Sequence, residues 1–300
     1  MVNFKYLEQE VLLEDFHLEG PAIVSGLFKD EAHSFSNRVI LELERNEMDG
    51  LSYQGLVRFS ADFLGEGARK NYLILGNYLD SIYKRDISDP FFIFIGGAAS
   101  TGKDLLVSDL QYYLGVDRVT PTDLLRDTLR DSLSKEYGGE SNVPEEFKDL
   151  FKALFQVSDK GIELQVNLIR QQAETYFVNR ALKECKTWVH PFHVLHGTHA
   201  MPGMEDCVEG DNKLAVVINP TEDALRSRIY LRQERERGPI LREEQRIQRR
   251  EECENTLRMR RYIQNLAEEN GGEIISSNSR IDVLHEFGDR LIGKLEGIVG

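Results

Sequence analysis

The chain has 300 residues, of which 41% are hydrophobic and 29% charged, and its formal net charge is −14 at pH 7. This length suffices for one large α/β domain, or for a core domain with a smaller partner. The negative charge repels polyanions, which argues against nucleic acid as a main partner unless a local basic patch overrides it. No apolar run reaches the roughly 18 residues of a membrane span, so we expect a soluble protein.

The N-terminal residues and the cysteines indicate the cellular compartment. Acidic residues interrupt the apolar residues of segment 1–16, which is unlike a secretory signal. Cys185, Cys207 and Cys253 are odd in number and far apart, which favours reduced thiols over a disulfide framework. We therefore expect a cytoplasmic protein.

Residues 1–87 are predicted to form a small, mostly helical N-terminal module. From Phe4 to Tyr83 the apolar residues recur mainly at helical spacing, and Gly50 and Gly65 interrupt the pattern. The pattern then changes at Asp89 and Pro90, where we place the start of a second domain.

Residues 88–300 are predicted to form an α/β domain. The apolar run FFIFI at 91–95 is typical of a strand buried on both faces of a parallel sheet. The further candidate strands RVTPTD, WVHPFHVLHG, KLAVVIN and GGEIISSN alternate with helical segments, which predicts a three-layer α/β/α arrangement with a parallel sheet. A polar insertion at 132–159 precedes a long helical stretch at 161–184.

The segment after FFIFI carries the most specific motif of the chain. It matches the GxxxxGK pattern of a phosphate-binding P-loop, between a strand and an amphipathic helix as the motif requires. Its backbone N–H groups and the helix N-terminus attract phosphate, and Lys103 reaches the outer phosphates. A chance glycine-rich turn with a surface lysine is the alternative. The predicted nucleotide-binding residues are Gly97, Ala98, Ala99, Ser100, Thr101, Gly102, Lys103 and Asp104.

Asp104 departs from this motif, because a serine or threonine whose hydroxyl binds Mg²⁺ normally follows the lysine. A carboxylate is a hard oxygen ligand, so Asp104 is a candidate ligand for Mg²⁺. Alternatively, Asp104 is simply a favourable acidic residue in the first turn of a helix.

Polar residues also follow the second candidate strand. Asp123 is positioned to accept a proton from an acceptor hydroxyl, and Arg126 and Arg130 lie on one helical face, where paired arginines suit a phosphorylated acceptor. The alternative is an Asp N-cap followed by exposed arginines that pair with Asp127 and Asp131.

Four histidines recur at every third position around the third candidate strand. At this spacing successive side chains of a strand point to opposite faces, and Pro191 and Gly197 oppose a helix. We therefore expect individual packing, hydrogen bonds or substrate contacts rather than a zinc site. The four are His190, His193, His196 and His199.

The segment 226–261 is rich in arginine, with glutamates interspersed. In a phosphotransferase such a segment forms a lid whose guanidinium groups neutralise charge on the transferred phosphoryl group. A solvated helix with salt bridges is the alternative.

The order of these motifs resembles that of the archaeal-type 2-phosphoglycerate kinases. The resemblance covers about 91–278 and rests on GGAASTGK, TDLLRDTLR, GTHAMPG, RSRIYLRQERER and RMRRYIQNLAEEN. It implies an adenylate-kinase-like sheet with a mobile arginine lid, ATP and Mg²⁺ as cofactors, and transfer of the γ-phosphoryl group to a small phosphorylated metabolite.

The resemblance also implies roles for single residues. Lys103 binds phosphate, Asp123 and Arg126 face the acceptor, with Arg130 beside them, and His199 contributes to substrate binding. Arg232 and Arg235 are the catalytic residues of the lid. A homo-oligomer remains open.

Two parts of the chain depart from the family pattern. The family usually ends the strand before GxHxxPG with glutamate, whereas this chain has His196, a poor ligand for Mg²⁺. Some relatives carry an N-terminal ATP-cone-like module, which residues 1–85 match only weakly. Asp104 is a candidate replacement for the oxygen that is missing at His196.

Three functions remain open from the sequence. The first is an ATP-dependent kinase of a small phosphorylated metabolite, and the second is a catalytically inactive nucleotide-binding regulatory protein. The third is a P-loop kinase of another small acceptor, such as a nucleoside or nucleotide. The changes at Asp104 and His196 favour the second function, whereas Asp123, Arg126 and the lid arginines favour the first.

Overall fold

The computed structural model describes residues 3–6, 9–12, 18–46, 51–138, 159–184, 190–238 and 242–299, together with 142, 144 and 148. Within these residues the chain forms a three-stranded and a five-stranded sheet with helices around them. No helix in these ranges is both long and apolar enough to cross a membrane.

The N-terminal part is mostly helical, as predicted. Its helices are α1 (Glu19–Val24), α2 (Lys29–Arg45), α3 (Tyr53–Ala61) and α4 (Glu66–Tyr83). The hydroxyl of Ser52 accepts a hydrogen bond from the Gly55 N–H at 3.1 Å and so caps the start of α3.

The sequence analysis missed the small sheet in this part. Strand β1 (Asn3–Tyr6) pairs antiparallel with β2 (Gln9–Leu12) and parallel with β3 (Leu51–Ser52). These strands have two to four residues, which is too few for the twofold alternation of a strand to stand out from a helical pattern.

The five-stranded sheet is parallel throughout, and its order is β5-β6-β4-β7-β8. Every strand predicted from the sequence is present. The strands are β4 (Phe91–Gly96), β5 (Arg118–Pro121), β6 (Phe192–Gly197), β7 (Lys213–Ile218) and β8 (Glu273–Ile275).

Helices cover both faces of this sheet, which confirms the three-layer arrangement. They are α5 (Lys103–Leu114), α6 (Thr122–Tyr137), α7 (Asp159–Gln172), α8 (Asn179–Glu184), α9 (Glu222–Arg237), α10 (Glu243–Glu269) and α11 (Arg280–Val299). A π-helical turn, Ala173–Val178, joins α7 to α8 and completes the predicted long helical stretch. Most of the predicted insertion at 132–159 lies outside the described residues.

Alternate residues of β4 point into the two apolar layers. Phe91 and Ile93 pack with the layer that contains α4, α5 and α11, whereas Phe92 and Phe94 pack against Phe177 on the opposite face. All six residues of β4 are buried. β4 is therefore the central strand of the domain, and the loop that follows it starts from a rigid, buried position.

The N-terminal helices share one apolar core with the sheet. Residues from Leu18 to Ile82 belong to the same cluster as Phe91 and Ile95 of β4. Helix α1 packs against both α5 and α11, and α4 packs against α11. The proposed boundary between 1–87 and 88–300 thus lies inside a continuous core.

The contact between α1 and α11 depends on Gly288, because a Cβ atom there would lie 2.3 Å from the backbone oxygen of Val24. Backbone cannot move aside cheaply, so we predict that Gly288→Ala lowers the free energy of unfolding by about 2 kcal/mol. The measurement is urea unfolding followed by circular dichroism. Gly293→Ala in the same helix is the control: no atom lies within 4 Å of its added methyl group, so this variant should be neutral or about 0.5 kcal/mol more stable.

Candidate functional site

The loop between β4 and α5 is wrapped tightly by its glycines. Gly97 and Gly102 adopt φ angles of 147° and 104°, which favour glycine, and Ser100 lies at 63°. A Cβ atom at Gly97 would lie 2.7 Å from Oγ1 of Thr101 and 2.8 Å from the backbone oxygen of Ile218. The loop is therefore tightly wrapped and packed against the end of β7, and it is called the P-loop below after the motif that it matches.

Lys103 lies inside the loop rather than on the surface. Its side chain is buried, and its Nζ atom donates a hydrogen bond to the backbone oxygen of Ala98 at 3.3 Å. Burial lowers the pKa of Lys103, while the negative charges of Asp104 and Asp123 oppose this effect. A buried ammonium group with one weak hydrogen-bond partner among the described residues is suited to binding an anion.

The register of the sheet brings three chain segments to one level. His196 of β6 pairs with Ile95 of β4 on one side and with Pro121 of β5 on the other. A Cβ atom at Gly197 would lie 1.9 Å from Oγ1 of Thr122, so glycine is required where β6 meets the start of α6. The P-loop, the start of α6 and the end of β6 therefore meet at the carboxyl edge of the sheet, and the space between them is called the cleft below.

The two departures from the family pattern are adjacent in this cleft. The Nδ1 atom of His196 lies 3.2 Å from Oδ1 of Asp104. That atom is buried and has no hydrogen-bond partner other than Asp104 among the described residues. The Asp104 carboxylate is 74% exposed, and the neighbouring His196, with a smaller contribution from Lys103, lowers its pKa despite partial burial. Asp104 is thus an ionised oxygen donor beside a nitrogen donor.

Asp123 and Arg126 lie together at the start of α6. An oxygen of Asp123 is 3.3 Å from one guanidinium nitrogen of Arg126. A second nitrogen of Arg126 lies 3.4 Å from Asp127. The N-cap of α6 is Pro121, so the alternative that Asp123 caps this helix is wrong. Arg130 lies one turn further along and pairs with Asp127 at 3.2 Å.

His199 is buried close to Asp123 and Arg126. Its Nε2 atom lies 2.7 Å from the side-chain oxygen of Gln165 and its Nδ1 atom 3.5 Å from the hydroxyl of Thr122. Because an amide oxygen only accepts, Nε2 carries the proton and Nδ1 accepts from Thr122. Burial lowers the pKa of His199 to about 4, so the imidazole is neutral at pH 7. In this position His199 supports the start of α6.

The other histidines of the series lie apart. His190 is 3.0 Å from Asp117 at the opposite end of the sheet, and the ring of His193 packs against Phe92 and Phe177. In the part of the chain that the structure describes, no three histidine, cysteine or acidic residues converge on a common point.

The arginine-rich segment forms two helices, α9 and α10, which pack through Leu225, Ile229, Cys253 and Leu257. Many of its arginines form salt bridges on the surface of this pair, for example Arg226 with Glu254 at 2.7 Å and Arg237 with Glu252 at 2.8 Å. For these residues the alternative of a solvated, salt-bridged helix is confirmed. The remaining helix face turns towards the P-loop.

Arg228 on that face was missed by the sequence analysis. Its two terminal nitrogens donate hydrogen bonds to the backbone oxygens of Thr101 at 2.6 Å and Asn278 at 2.5 Å. No signal in the sequence distinguishes it from its neighbours, because only the packing of α9 turns it towards the loop.

A cavity of about 610 Å³ lies between the P-loop, α9 and the segment 278–280. Arg232 and Arg235 line it, and Arg232 forms a salt bridge with Glu236 at 2.8 Å. Leu105 and Leu231 give it apolar walls. Its size is within the range of small-molecule sites.

Two curated proteins are similar to this chain in sequence. No known family model matches the chain. A 2-phosphoglycerate kinase of Methanothermobacter thermautotrophicus is 24% identical over 215 residues, or 68% of this chain and 66% of that protein. A 2-phosphoglycerate kinase of Pyrococcus furiosus is 24% identical over 226 residues, or 69% of this chain and 67% of that protein.

The chain spans about two thirds of the length of these curated relatives. It is a distant relative of the archaeal 2-phosphoglycerate kinases, as its motifs indicated. The similarity supports a kinase-like phosphotransferase.

We predict that His199 makes stability depend on pH. An unfolded histidine binds a proton as the pH falls through 6.5, whereas folded His199 does so near 4. The contribution of neutral, buried His199 to the free energy of unfolding is therefore complete above pH 6.5. It is lost as the pH falls towards 4, by up to about 3 kcal/mol. In urea unfolding at pH 7 and pH 5, His199→Gln should lose less stability than the parent chain. An equal loss in both proteins would contradict the assignment.

Proposed function

We propose that this chain is an ATP-dependent phosphotransferase that moves the γ-phosphoryl group to a hydroxyl of a small phosphorylated metabolite in the cytoplasm. The observation that carries the proposal is the buried ammonium group of Lys103 inside the P-loop, with Arg228 and Arg232 facing it from α9. Three positive charges around one backbone cradle suit a triphosphate.

The nucleotide has a natural place in this arrangement. Its phosphates would lie along the backbone of 97–102 at the N-terminus of α5, and its base and ribose in the adjoining 610 Å³ cavity. Leu105 and Leu231 offer apolar surface to the base. The carbonyl of Asn278 is held by Arg228, which fixes the wall of this cavity.

The acceptor side lies across the cleft, at the end of β5. Asp123 is exposed, its negative charge raises the pKa of the nearby Lys103, and it would accept the proton of an acceptor hydroxyl. Arg126 would bind the phosphate already present on the acceptor, in exchange for its ion pair with Asp123. The names of the relatives make 2-phosphoglycerate the first acceptor to test.

The protein groups act mainly by positioning and charge neutralisation. Lys103 and Arg232 would stabilise charge that develops on the transferred group, and the lid helices would exclude water. Kinases of this type usually use Mg²⁺ as well, but the donors here do not fit it: Asp104 suits Mg²⁺, whereas the imidazole of His196 does not.

This misfit is also the observation that favours a second function. A protein that binds ATP without turnover would need the P-loop and the lid but no catalytic metal site. A P-loop kinase of a nucleoside or nucleotide would use the same scaffold with another acceptor. Product formation separates these functions from the first.

The test is calorimetric titration with ATP, followed by an assay for ADP with and without 2-phosphoglycerate. We predict binding and acceptor-dependent ADP formation, and an approximately hundredfold loss of ATP affinity in Lys103→Met, since a charge-assisted hydrogen bond contributes about 3 kcal/mol. Lys213→Met is the control, because Lys213 also donates to a backbone oxygen, that of Val208, but away from the P-loop. Equal ATP affinity in both variants would refute the site.

For the lid we predict that Arg232→Met lowers kcat about a thousandfold while ATP affinity changes little, because its charge acts mainly on the transferred group. Arg237→Met is the matched control, since this arginine belongs to the same helix but pairs with Glu252 on the surface of the lid. Steady-state kinetics on both variants give the comparison, and Arg237→Met should stay within about twofold of the parent. A similar loss of kcat in both variants would mean that substitutions disturb α9 as a whole, and it would contradict a specific role for Arg232.

A further inference from the structure

Two metal-binding donors face each other beside the P-loop. The carboxylate of Asp104 projects from the first turn of α5, and the imidazole of His196 from the end of β6. Their nearest atoms are 3.2 Å apart. One donor is an oxygen and the other a nitrogen, which sets the chemistry of the pair.

The spacing suits two ligands of one ion. Two atoms that each lie about 2.1 Å from a metal, at right angles, are about 3.0 Å apart. The buried Nδ1 atom of His196 faces the carboxylate of Asp104 and has no other hydrogen-bond partner among the described residues.

The chemistry of the donors selects the class of ion. Mg²⁺ prefers oxygen ligands, whereas imidazole suits first-row transition metal ions such as Fe²⁺, Ni²⁺, Cu²⁺ and Zn²⁺. Mn²⁺ binds most weakly in this series and prefers oxygen ligands, which makes it the most demanding probe of a nitrogen ligand. Among the described residues no third histidine, cysteine or acidic group joins the pair. The remaining ligands would therefore be phosphate oxygens and water, which ties the ion to a bound nucleotide.

The following inference rests on the proposed nucleotide site. We propose that Asp104 and His196 together bind the divalent cation of the nucleotide, and that this cation is a first-row transition metal ion rather than Mg²⁺. The exposed Asp104 faces the cleft, where Lys103 and Arg232 already concentrate positive charge. The ionised carboxylate offsets that charge and makes room for a cation beside the phosphates.

The experiment uses the full chain with a non-hydrolysable ATP analogue and Mn²⁺ as the probe. The protein is labelled with ¹⁵N-histidine, and pulsed electron paramagnetic resonance measures the coupling of bound Mn²⁺ to a histidine nitrogen. We expect this coupling, and we expect Mn²⁺ to support binding of the analogue about tenfold better than Mg²⁺ after correction for the free nucleotide.

Two variants and a control test the assignment. His196→Asn should abolish the nitrogen coupling and the preference for Mn²⁺, and Asp104→Ser, which restores the usual motif, should shift the preference towards Mg²⁺. His190→Asn is the control, because His190 also approaches an aspartate, Asp117, at 3.0 Å but at the far end of the sheet. It should retain both signals.

The outcomes are separable from those for the proposed function. If the analogue binds but the Mn²⁺ signal carries no histidine coupling, or if His196→Asn keeps the preference, the metal inference fails while the nucleotide site stands. If the analogue binds equally well without any metal, then Asp104 and His196 bind no ion that the nucleotide needs, and the inference is again wrong. If the analogue does not bind under any condition, both proposals fail.

Discussion

The functional cleft depends on the register of three parallel strands. His196 lies in one row with Ile95 and Pro121, so three chain segments leave the sheet at the same level. Each of these segments carries one part of the proposed chemistry: the P-loop, the nitrogen donor and the acceptor side. A shift of β6 by one residue would turn His196 to the opposite face of the sheet and separate it from Asp104. The close approach of Gly197 to Thr122 at the end of β6 is specific to this register.

Local patterns were sufficient to predict the elements and the position of the loop between β4 and α5. The strands of the large sheet, the arginine-rich helices and the loop at 97–104 could be predicted because each depends on a few consecutive residues. The proximity of Asp104 to His196, which are far apart in the chain, depends on strand order and register, which no local pattern encodes. The direction of Arg228 depends in the same way on how α9 packs. The roles assigned to Asp123, Arg126 and the other site residues stay predictions.

An acidic protein can still bind a polyphosphate, because its positive and negative charges are unevenly distributed. Arg226 and Arg237 are neutralised by glutamates on the surface of the lid. Arg228 instead binds backbone oxygens of the P-loop region and keeps its full charge near Lys103. The net charge of −14 therefore describes the outer surface, whereas a small anion in the cleft responds to the local field.

The packing of the N-terminal helices supports the walls of the cavity that we propose for the nucleotide. Arg280, which lines this cavity at the start of α11, forms an ion pair with the buried Asp109 of α5. Both of these helices rest on α1: Gly20 lies against the backbone of Tyr113 in α5, and Gly288 of α11 lies against Val24. A shift of α1 would consequently move both walls of the cavity. The N-terminal part thus acts on the nucleotide site as its support, through the core that the two parts share.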